Sequence, residues 1–123
     1  MLRMPQESNT ARGILEARVS RDGDGATLTL AGELDLATAD MVREKLAEAR
    51  GDGASRVVVD LRKLTFIDST GIWLLLSAVK EDEEERLSFI PSESAAVQRV
   101  FTVTGIADLF GGNGETSAAL NDS

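Results

Sequence analysis

One continuous stretch of this chain, from Val57 to Leu76, constrains its fold more than any other segment. It reads VVVDLRKLTFIDSTGIWLLL, which is an apolar run, a short polar segment and a second apolar run with helical spacing. The valines predict a strand covered on both faces. The second run predicts a helix from Ser69 to about Asp82, and the stretch as a whole predicts consecutive elements of an α/β domain. The expected core face of this helix consists of Ile72, Leu75, Leu76 and Val79.

Two adjacent hydroxyls, Ser69 and Thr70, open the predicted helix. Backbone N–H groups and the helix dipole favour negative charge at a helix N-terminus, so the fold would tolerate a phosphate on Ser69. Ser69 is therefore a candidate modification site. The structural alternative for Ser69 is an ordinary N-cap, and Thr70 is expected to be a residue of the first helical turn rather than an acceptor.

The composition excludes several classes of active site. The 123 residues include no cysteine and no histidine. Disulfides, thiol nucleophiles, the usual general base and the commonest zinc ligands are therefore absent. We predict no catalytic residue, no metal site and no bound cofactor, and we expect a binding protein rather than an enzyme. The length suits a single domain with one core.

The charge of the chain argues against two classes of partner. Its 13 basic and 21 acidic residues give a formal net charge of −8 at pH 7, which disfavours binding to nucleic acid and to anionic membranes. The first residues lack the pattern of a signal peptide, and the longest run of large apolar side chains, Ile72 to Leu76, is too short to span a membrane. We therefore expect a cytoplasmic protein whose partner carries basic surface.

The segments before this stretch predict a hairpin and a helix. Residues alternate between apolar and polar from Leu15 to Ser20 and from Ala26 to Leu30, with the turn sequence RDGDG between them. This pattern predicts an antiparallel β-hairpin. Thr38 is the candidate N-cap of a helix that reaches Arg50 and ends at the following GDG.

The segments after the stretch predict one strand, one helix and a short edge strand. LSFI at residues 87–90 predicts the strand, and Ile106 to Phe110 predicts the edge strand. Between them we expect a helix that Gly105 ends. The residues expected to face inward from this helix are Ala96, Val97, Val100 and Phe101. Residues 1–12 are expected to be a flexible lead-in, residues 13–110 the domain, and residues 111–123 a weakly structured tail.

The order of these elements predicts a mixed β-sheet with helices packed mainly on one side. If the second and third strands are parallel, the loops after their carboxyl ends emerge at one edge of the sheet, where open α/β folds place their sites. Those loops are GELDLAT (Gly32 to Thr38) and RKLTFID (Arg62 to Asp68). We therefore expect Asp35 and Ser69 to be neighbours.

Four motifs in this order carry a family resemblance: AGELDLATA, VVVDL, FIDSTG and RVFTVTGIADLF. Together they resemble the STAS domain, and in particular the bacterial anti-sigma factor antagonists, over roughly Ile14 to Phe110. The resemblance implies a small α/β domain with a STAS-like mixed sheet. It also implies binding to an anti-sigma factor that is a serine kinase of the histidine-kinase-like ATPase fold. Binding would free the sigma factor, and phosphorylation would end the binding.

The resemblance also implies roles for individual residues. The phosphoacceptor would be Ser69, its flanking acid Asp68, and the acidic loop residue beside it Asp35. The partner kinase would hold ATP and magnesium, a separate serine phosphatase would remove the phosphate, and the chain would be a monomer or weak dimer. The full predicted partner-binding set is Asp35, Asp68, Ser69, Thr70, Gly71 and Trp73.

Trp73 departs from the family pattern, because many relatives have a small residue two places after the glycine of this signature. Its position in the helical repeat predicts a place on the flank of the helix, close to Ser69. An interface anchor and packing against the neighbouring loop are both compatible with that place.

Three alternatives to the antagonist remain open. The first is a STAS subunit that regulates a lipid-transport ATPase without being phosphorylated. The second is a scaffold protomer of a stress-signalling assembly, for which a large apolar self-contact surface is expected. The third is a small enzyme, which the missing histidine and cysteine disfavour.

Overall fold

The computed structural model describes residues 14–51 and 53–111, with side chains described as far as residue 108. Within this range the chain forms four strands and four helices. The strands are β1 (Leu15–Asp22), β2 (Gly25–Leu34), β3 (Arg56–Ile67) and β4 (Leu87–Ile90). The helices are α1 (Ala39–Arg50), α2 (Ser69–Lys80), α3 (Ala95–Thr104) and α4 (Ile106–Gly111). The expected lead-in, and the expected tail after its first residue, lie outside the described residues.

The strands form one mixed sheet in the order β1-β2-β3-β4. β1 pairs antiparallel with β2 through a two-residue turn at Gly23 and Asp24. β3 pairs parallel with both β2 and β4. Gly23 has a φ of 64°, in the left-handed region that tight hairpin turns need. The predicted hairpin and mixed sheet are confirmed.

The two faces of the sheet differ in burial. Leu28, Leu30 and Val59 are almost fully buried on one face, whereas Thr27 and Val58 on the opposite face are half-buried. β3 is therefore fully covered on one face only, and the expectation of cover on both faces is wrong. The valine run therefore has one buried face and one partly exposed face, which we call the open face of the sheet.

Two helices pack on the buried face. Arg21, which is paired with buried Ala26, donates to the carbonyl oxygen of Glu48 near the end of α1 at 2.6 Å. Gly71 of α2 lies directly against Leu34. The connections from β2 through α1 to β3 and from β3 through α2 to β4 cross the sheet in the same direction. Because such connections are right-handed, both helices lie on the same side of the sheet. The prediction of helices mainly on one side of the sheet is confirmed.

β3 is longer than the sequence pattern indicates. The segment expected to be a loop, Arg62 to Asp68, continues the strand as far as Ile67 and pairs with the end of β2 across two register shifts. Its buried residues Leu61, Leu64 and Ile67 recur every third position. Because the bulged pairing breaks the two-residue alternation of a regular strand, the segment resembles a loop in sequence.

The orientation of α2 also differs from the prediction. Ile72, Leu76 and Val79 are only partly buried, and the predicted core residue Leu75 is fully buried. The buried set of α2 consists of Gly71, Leu74, Leu75 and Ala78. Because residues 72–76 are all apolar, the sequence does not determine which of them face the core. The close packing of Gly71 against the sheet determines that orientation.

The end of the domain contains two further corrections. In α3, Val97 and Phe101 are buried and Val100 is partly buried as expected, but Ala96 is exposed. The predicted edge strand from Ile106 is instead the helix α4. A short apolar run does not distinguish strand from helix by its period, and the ADL sequence after Ile106 disfavours a strand.

Candidate functional site

The carboxyl ends of β2 and β3 meet the start of α2 at one edge of the sheet. Asp68, between β3 and α2, is the N-cap residue with extended φ and ψ of −111° and −173°. Its Oδ1 accepts a hydrogen bond from the backbone N–H of Gly71 at 3.0 Å. The alternative that Ser69 is only an ordinary N-cap is therefore wrong, because Asp68 caps the helix and Ser69 is the first helical residue.

Asp68 also joins this helix to the loop after β2. Its Oδ2 accepts from the backbone N–H of Leu36 at 3.3 Å, and its own N–H donates to the carbonyl oxygen of Leu34 at 3.2 Å. One carboxylate therefore holds two segments in fixed relation. The expected proximity of the two loops is confirmed, since the Asp35 loop contacts the residue that precedes Ser69.

The carboxylate of Asp35 turns toward its own loop. Its Oδ1 accepts from the backbone N–H groups of Ala37 at 3.0 Å and Thr38 at 3.2 Å. Thr38 is fully buried, and its hydroxyl donates to the carbonyl oxygen of Glu33 at 3.0 Å. Thr38 occupies the N-cap position of α1 but makes no side-chain cap, so the capping interaction expected of it is absent. These bonds give the loop a defined shape.

The two hydroxyls that open α2 differ in exposure. Ser69 is exposed and Thr70 is half-buried. Among the described residues, neither the Ser69 hydroxyl nor the backbone N–H groups of Ser69 and Thr70 have a hydrogen-bond partner. The site therefore presents an unengaged hydroxyl beside two backbone donors of a helix N-terminus, which suits a negatively charged substituent on Ser69.

Gly71 is a packing residue of this site. It is buried, and a Cβ atom there would lie 2.7 Å from Cγ of Leu34 and 2.8 Å from Cγ1 of Ile67. Only glycine lets the first turn of α2 approach the ends of β2 and β3 this closely. Direct contact between Gly71 and a partner stays a prediction.

Two exposed apolar side chains lie at the same edge. Trp73 is 62% exposed and Leu36 is 76% exposed. The predicted exposure of Trp73 on the helix flank is confirmed, which excludes burial in the core. Leu36 was not among the predicted site residues. Its only signal is a large aliphatic residue between Asp35 and Ala37 in a loop otherwise made of polar and small residues.

A charged pair on the open face of the sheet lies outside this edge. Asp60 is only 7% exposed, and its carboxylate accepts from Arg62 through Nε at 3.0 Å and through Nη2 at 2.8 Å. The hydrogen bonds from the guanidinium of Arg62 hold the pKa of Asp60 below its ordinary value, against the opposing effect of burial. Asp60 therefore stabilises β3 and is not part of the candidate site.

Comparison with known proteins decides the family. The family model described as "Mlab, STAS domain" matches residues 17–111. The chain belongs to the STAS domain family. In this STAS domain, the matched range begins in β1, ends at the last residue of α4 and includes every residue of the candidate site.

Similar proteins carry the name of a regulatory class. An anti-sigma-B factor antagonist of Staphylococcus aureus is 33% identical over 79 residues, which are 63% of this chain and 73% of that protein. The anti-sigma-B factor antagonist of Staphylococcus epidermidis is 33% identical over the same length. These relatives are named as antagonists of anti-sigma factors, not as enzymes.

Solved structures show the same fold. An anti-sigma factor antagonist from Mycobacterium paratuberculosis matches with a TM-score of 0.70 at 21% identity, covering 78% of this chain and 82% of that chain. The anti-sigma factor antagonist SpoIIAA in its unphosphorylated form matches with a TM-score of 0.61 at 26% identity, covering 73% and 81%. Among the described residues, no helix is both long and apolar enough to span a membrane.

Proposed function

We propose that this STAS domain is an anti-sigma factor antagonist. It binds an anti-sigma factor serine kinase, releases the sigma factor held by that kinase, and is switched off by phosphorylation at Ser69. The observation that carries the proposal is the exposed Ser69 hydroxyl, which makes no hydrogen bond within the described residues and is presented by a helix that Asp68 caps.

The geometry separates the modified group from the groups that maintain the fold. The carboxylate of Asp68 makes the cap and the bridge to Leu36, so the hydroxyl of Ser69 has no structural bond to lose. A phosphate adds a charge of about −1.5 to −2 at pH 7. The free N–H groups of Ser69 and Thr70 and the dipole of α2 compensate this charge locally, so the domain stays folded when it is phosphorylated.

The same phosphate opposes binding. A partner surface shaped for a bare hydroxyl would have to accommodate and desolvate a dianion that lies close to Asp68. We expect a penalty of about 2 to 4 kcal/mol, which corresponds to a roughly thirty-fold to almost thousand-fold loss of affinity. The phosphatase reverses this state, and the kinase supplies ATP and magnesium.

The test is phosphorylation by the anti-sigma factor kinases of the source organism. Each purified kinase is incubated with the chain, magnesium and ATP, and mass spectrometry locates the phosphate. Ser69→Ala should not be labelled and should still bind, and Ser69→Asp should bind more weakly than the wild type. Ser77→Ala is the matched control, because Ser77 is an exposed hydroxyl two turns further along the same helix. It should be labelled and bound like the wild type, as should Thr70→Ala.

Three results would overturn the proposal. Label on Thr70 instead of Ser69 would show that the acceptor is wrong. Binding to a transporter ATPase without phosphorylation by any kinase would support the lipid-transport alternative. A stable self-assembly that binds no anti-sigma factor would support the scaffold.

A further inference from the structure

We propose that Leu36 and Trp73 form a two-point apolar anchor that selects the partner of this domain. The inference rests on the proposed function and specifies how the site is recognised. The partner it implies is a protein with an apolar groove bordered by basic side chains. The contacts, exposures and charges of the described residues carry the argument.

Exposed apolar area is concentrated at this edge. Four large hydrophobic residues are exposed among the described residues, namely Leu36, Phe66, Trp73 and Val103. Leu36 and Trp73 border Ser69 from two different elements. Leu36 is connected through its N–H to Asp68, and Trp73 lies four residues after Ser69 on α2, which places it on the same side of the helix one turn further along.

The other two exposed residues are not part of the proposed anchor. Phe66 is the least exposed of the four, at 46%, and is paired with Glu33 near the carboxyl end of β3. Val103 lies in the last turn of α3. That helix begins near the strand ends, where Ser92 donates to the carbonyl oxygen of Leu64, and Val103 is eight residues further along it than Ala95, a rise of about 12 Å. Val103 therefore serves as a control.

The loop that carries Leu36 is held in place before any partner arrives. Asp68 accepts from its N–H, Asp35 accepts from the two residues that follow, and buried Thr38 ties the loop to the end of β2. A side chain on a pre-ordered loop loses little backbone freedom on binding, so its burial contributes more of its apolar area to affinity. Trp73 is also suited to be an anchor, because tryptophan side chains often contribute a large part of the binding energy of an interface.

The charges around the anchors define the chemistry of the partner. Glu33 is exposed and Asp35 is half-buried, whereas exposed Asp40 at the start of α1 forms an ion pair with Arg43 at 2.8 Å. Glu33 and Asp35 lie within three residues of Leu36 along the chain, and the net charge of the whole chain is −8. A partner groove lined with apolar side chains and edged with arginine or lysine complements this surface, whereas a nucleic acid or an anionic lipid does not.

The anchors also explain how one phosphate can end binding. Ser69 lies between the segment that Asp68 joins to Leu36 and the turn that carries Trp73. Burial of both apolar side chains against one surface also buries the hydroxyl. A phosphate dianion on Ser69 prevents this burial, so Leu36 and Trp73 provide the affinity and Ser69 controls it.

The experiment compares three truncations of exposed side chains. The probe is the purified anti-sigma factor kinase that labels Ser69, and the measurements are its dissociation constant and the KM and kcat of labelling. We expect Leu36→Ala and Trp73→Ala each to raise the dissociation constant about ten- to thirty-fold and to raise KM with little change in kcat. Val103→Ala, which truncates a side chain of equal exposure, 77% against 76%, should stay within about twofold of the wild type.

A spectroscopic measurement gives an independent answer. Trp73 is the only tryptophan of the chain, so incorporation of 5-fluorotryptophan gives one fluorine resonance that reports on this position alone. Addition of the kinase should shift or broaden the resonance and remove its sensitivity to exchange of water for deuterium oxide. The chain phosphorylated on Ser69 should show neither change at the same kinase concentration.

The outcomes separate the two proposals. If the wild type is labelled on Ser69 but both truncations bind as tightly as it does, the anchor is wrong and the proposed function stands. An equal loss in all three variants would also overturn the anchor, because it would indicate a general effect of truncation. If no kinase binds or labels the wild type, the proposed function itself fails. Thermal unfolding of each variant should match the wild type, since the three side chains are exposed.

Discussion

Replacement of Gly71 by alanine is the sharpest test of how α2 is positioned. The added Cβ would lie 2.7 Å from Cγ of Leu34, 2.8 Å from Cγ1 of Ile67 and 2.9 Å from the carbonyl oxygen of Leu34. Favourable contacts between carbon atoms lie at about 3.5 to 4.0 Å, so all three contacts are repulsive. The carbonyl oxygen belongs to the backbone of β2 and accepts from Asp68, so it cannot turn away as a side chain does.

The magnitude follows from two opposing terms. Overpacking of a dense core costs about 1 to 3 kcal/mol. Alanine is intrinsically better than glycine in a helix by at most about 1 kcal/mol, and less in the first turn. We therefore expect Gly71→Ala to lower the free energy of unfolding by about 1 to 2 kcal/mol, which is a fall of roughly 4 to 16 °C in the melting temperature of a domain of this size.

Urea unfolding followed by circular dichroism measures this effect at pH 7. The midpoint should fall while the slope stays the same, because the fold is retained. Ser77→Ala, at an exposed position of the same helix, should change the free energy of unfolding by less than about 0.5 kcal/mol. A Gly71→Ala variant as stable as the wild type would refute the close approach of α2 to β2 and β3.

Three further substitutions test individual carboxylates. Asp35→Asn keeps an acceptor for the loop N–H groups, so the fold should be preserved while labelling of Ser69 by the kinase slows; an unchanged rate would leave Asp35 with a structural role only. Asp68→Asn keeps one oxygen for the helix cap but places an amide donor against the N–H of Leu36. Amide hydrogen exchange at Leu36 should therefore accelerate at least several-fold. Exchange as slow as in the wild type would contradict the bridge between Asp68 and Leu36. Asp60→Asn removes a group whose folded-state pKa lies below its ordinary 3.8. The stability that Asp60 contributes, about 1 kcal/mol or less because Arg62 is half exposed, is complete above that ordinary value and is lost as the pH falls through the lowered pKa. In urea unfolding, the difference between wild type and Asp60→Asn should therefore be constant from pH 5 to 7 and close toward pH 2. A difference that widens in acid would contradict the ion pair.

The sequence predicts most of the fold because its strongest patterns are local. The alternation before and after RDGDG specifies the β1–β2 hairpin, and the valine run specifies the start of β3. The parts that sequence patterns do not predict depend on long-range contacts. The second half of β3 becomes a strand only through its bulged pairing with the end of β2. The orientation of α2 is determined by the space that Gly71 leaves against Leu34.

In the candidate site, too, local sequence patterns predict some features and long-range contacts determine the others. The juxtaposition of the Asp35 loop and Ser69 follows from parallel strands alone. The exposure of Trp73 was predicted correctly, although only one of the four residues predicted to face the core, Leu75, is fully buried. Which residue caps α2 could not be decided, because an aspartate and a serine stand side by side and either side chain can cap a helix. Leu36 was missed because its significance comes from a hydrogen bond to Asp68, 32 positions away in the chain.

The DSTG segment of this STAS domain places residues that hold the fold next to the serine that we propose is phosphorylated. Asp68 and Gly71 face the domain, one through hydrogen bonds to two segments and the other through close packing. Ser69, between them, faces solvent and makes no hydrogen bond within the described residues. A side chain that makes no hydrogen bond in the folded domain can change its charge without a large change in the free energy of unfolding. A partner that covers this side chain must desolvate the added charge, which lowers the affinity. Under the proposed function, phosphorylation of Ser69 would therefore regulate binding without unfolding the domain. The proposed function also predicts that selection for a switch and selection for stability act on different residues of the same four-residue segment.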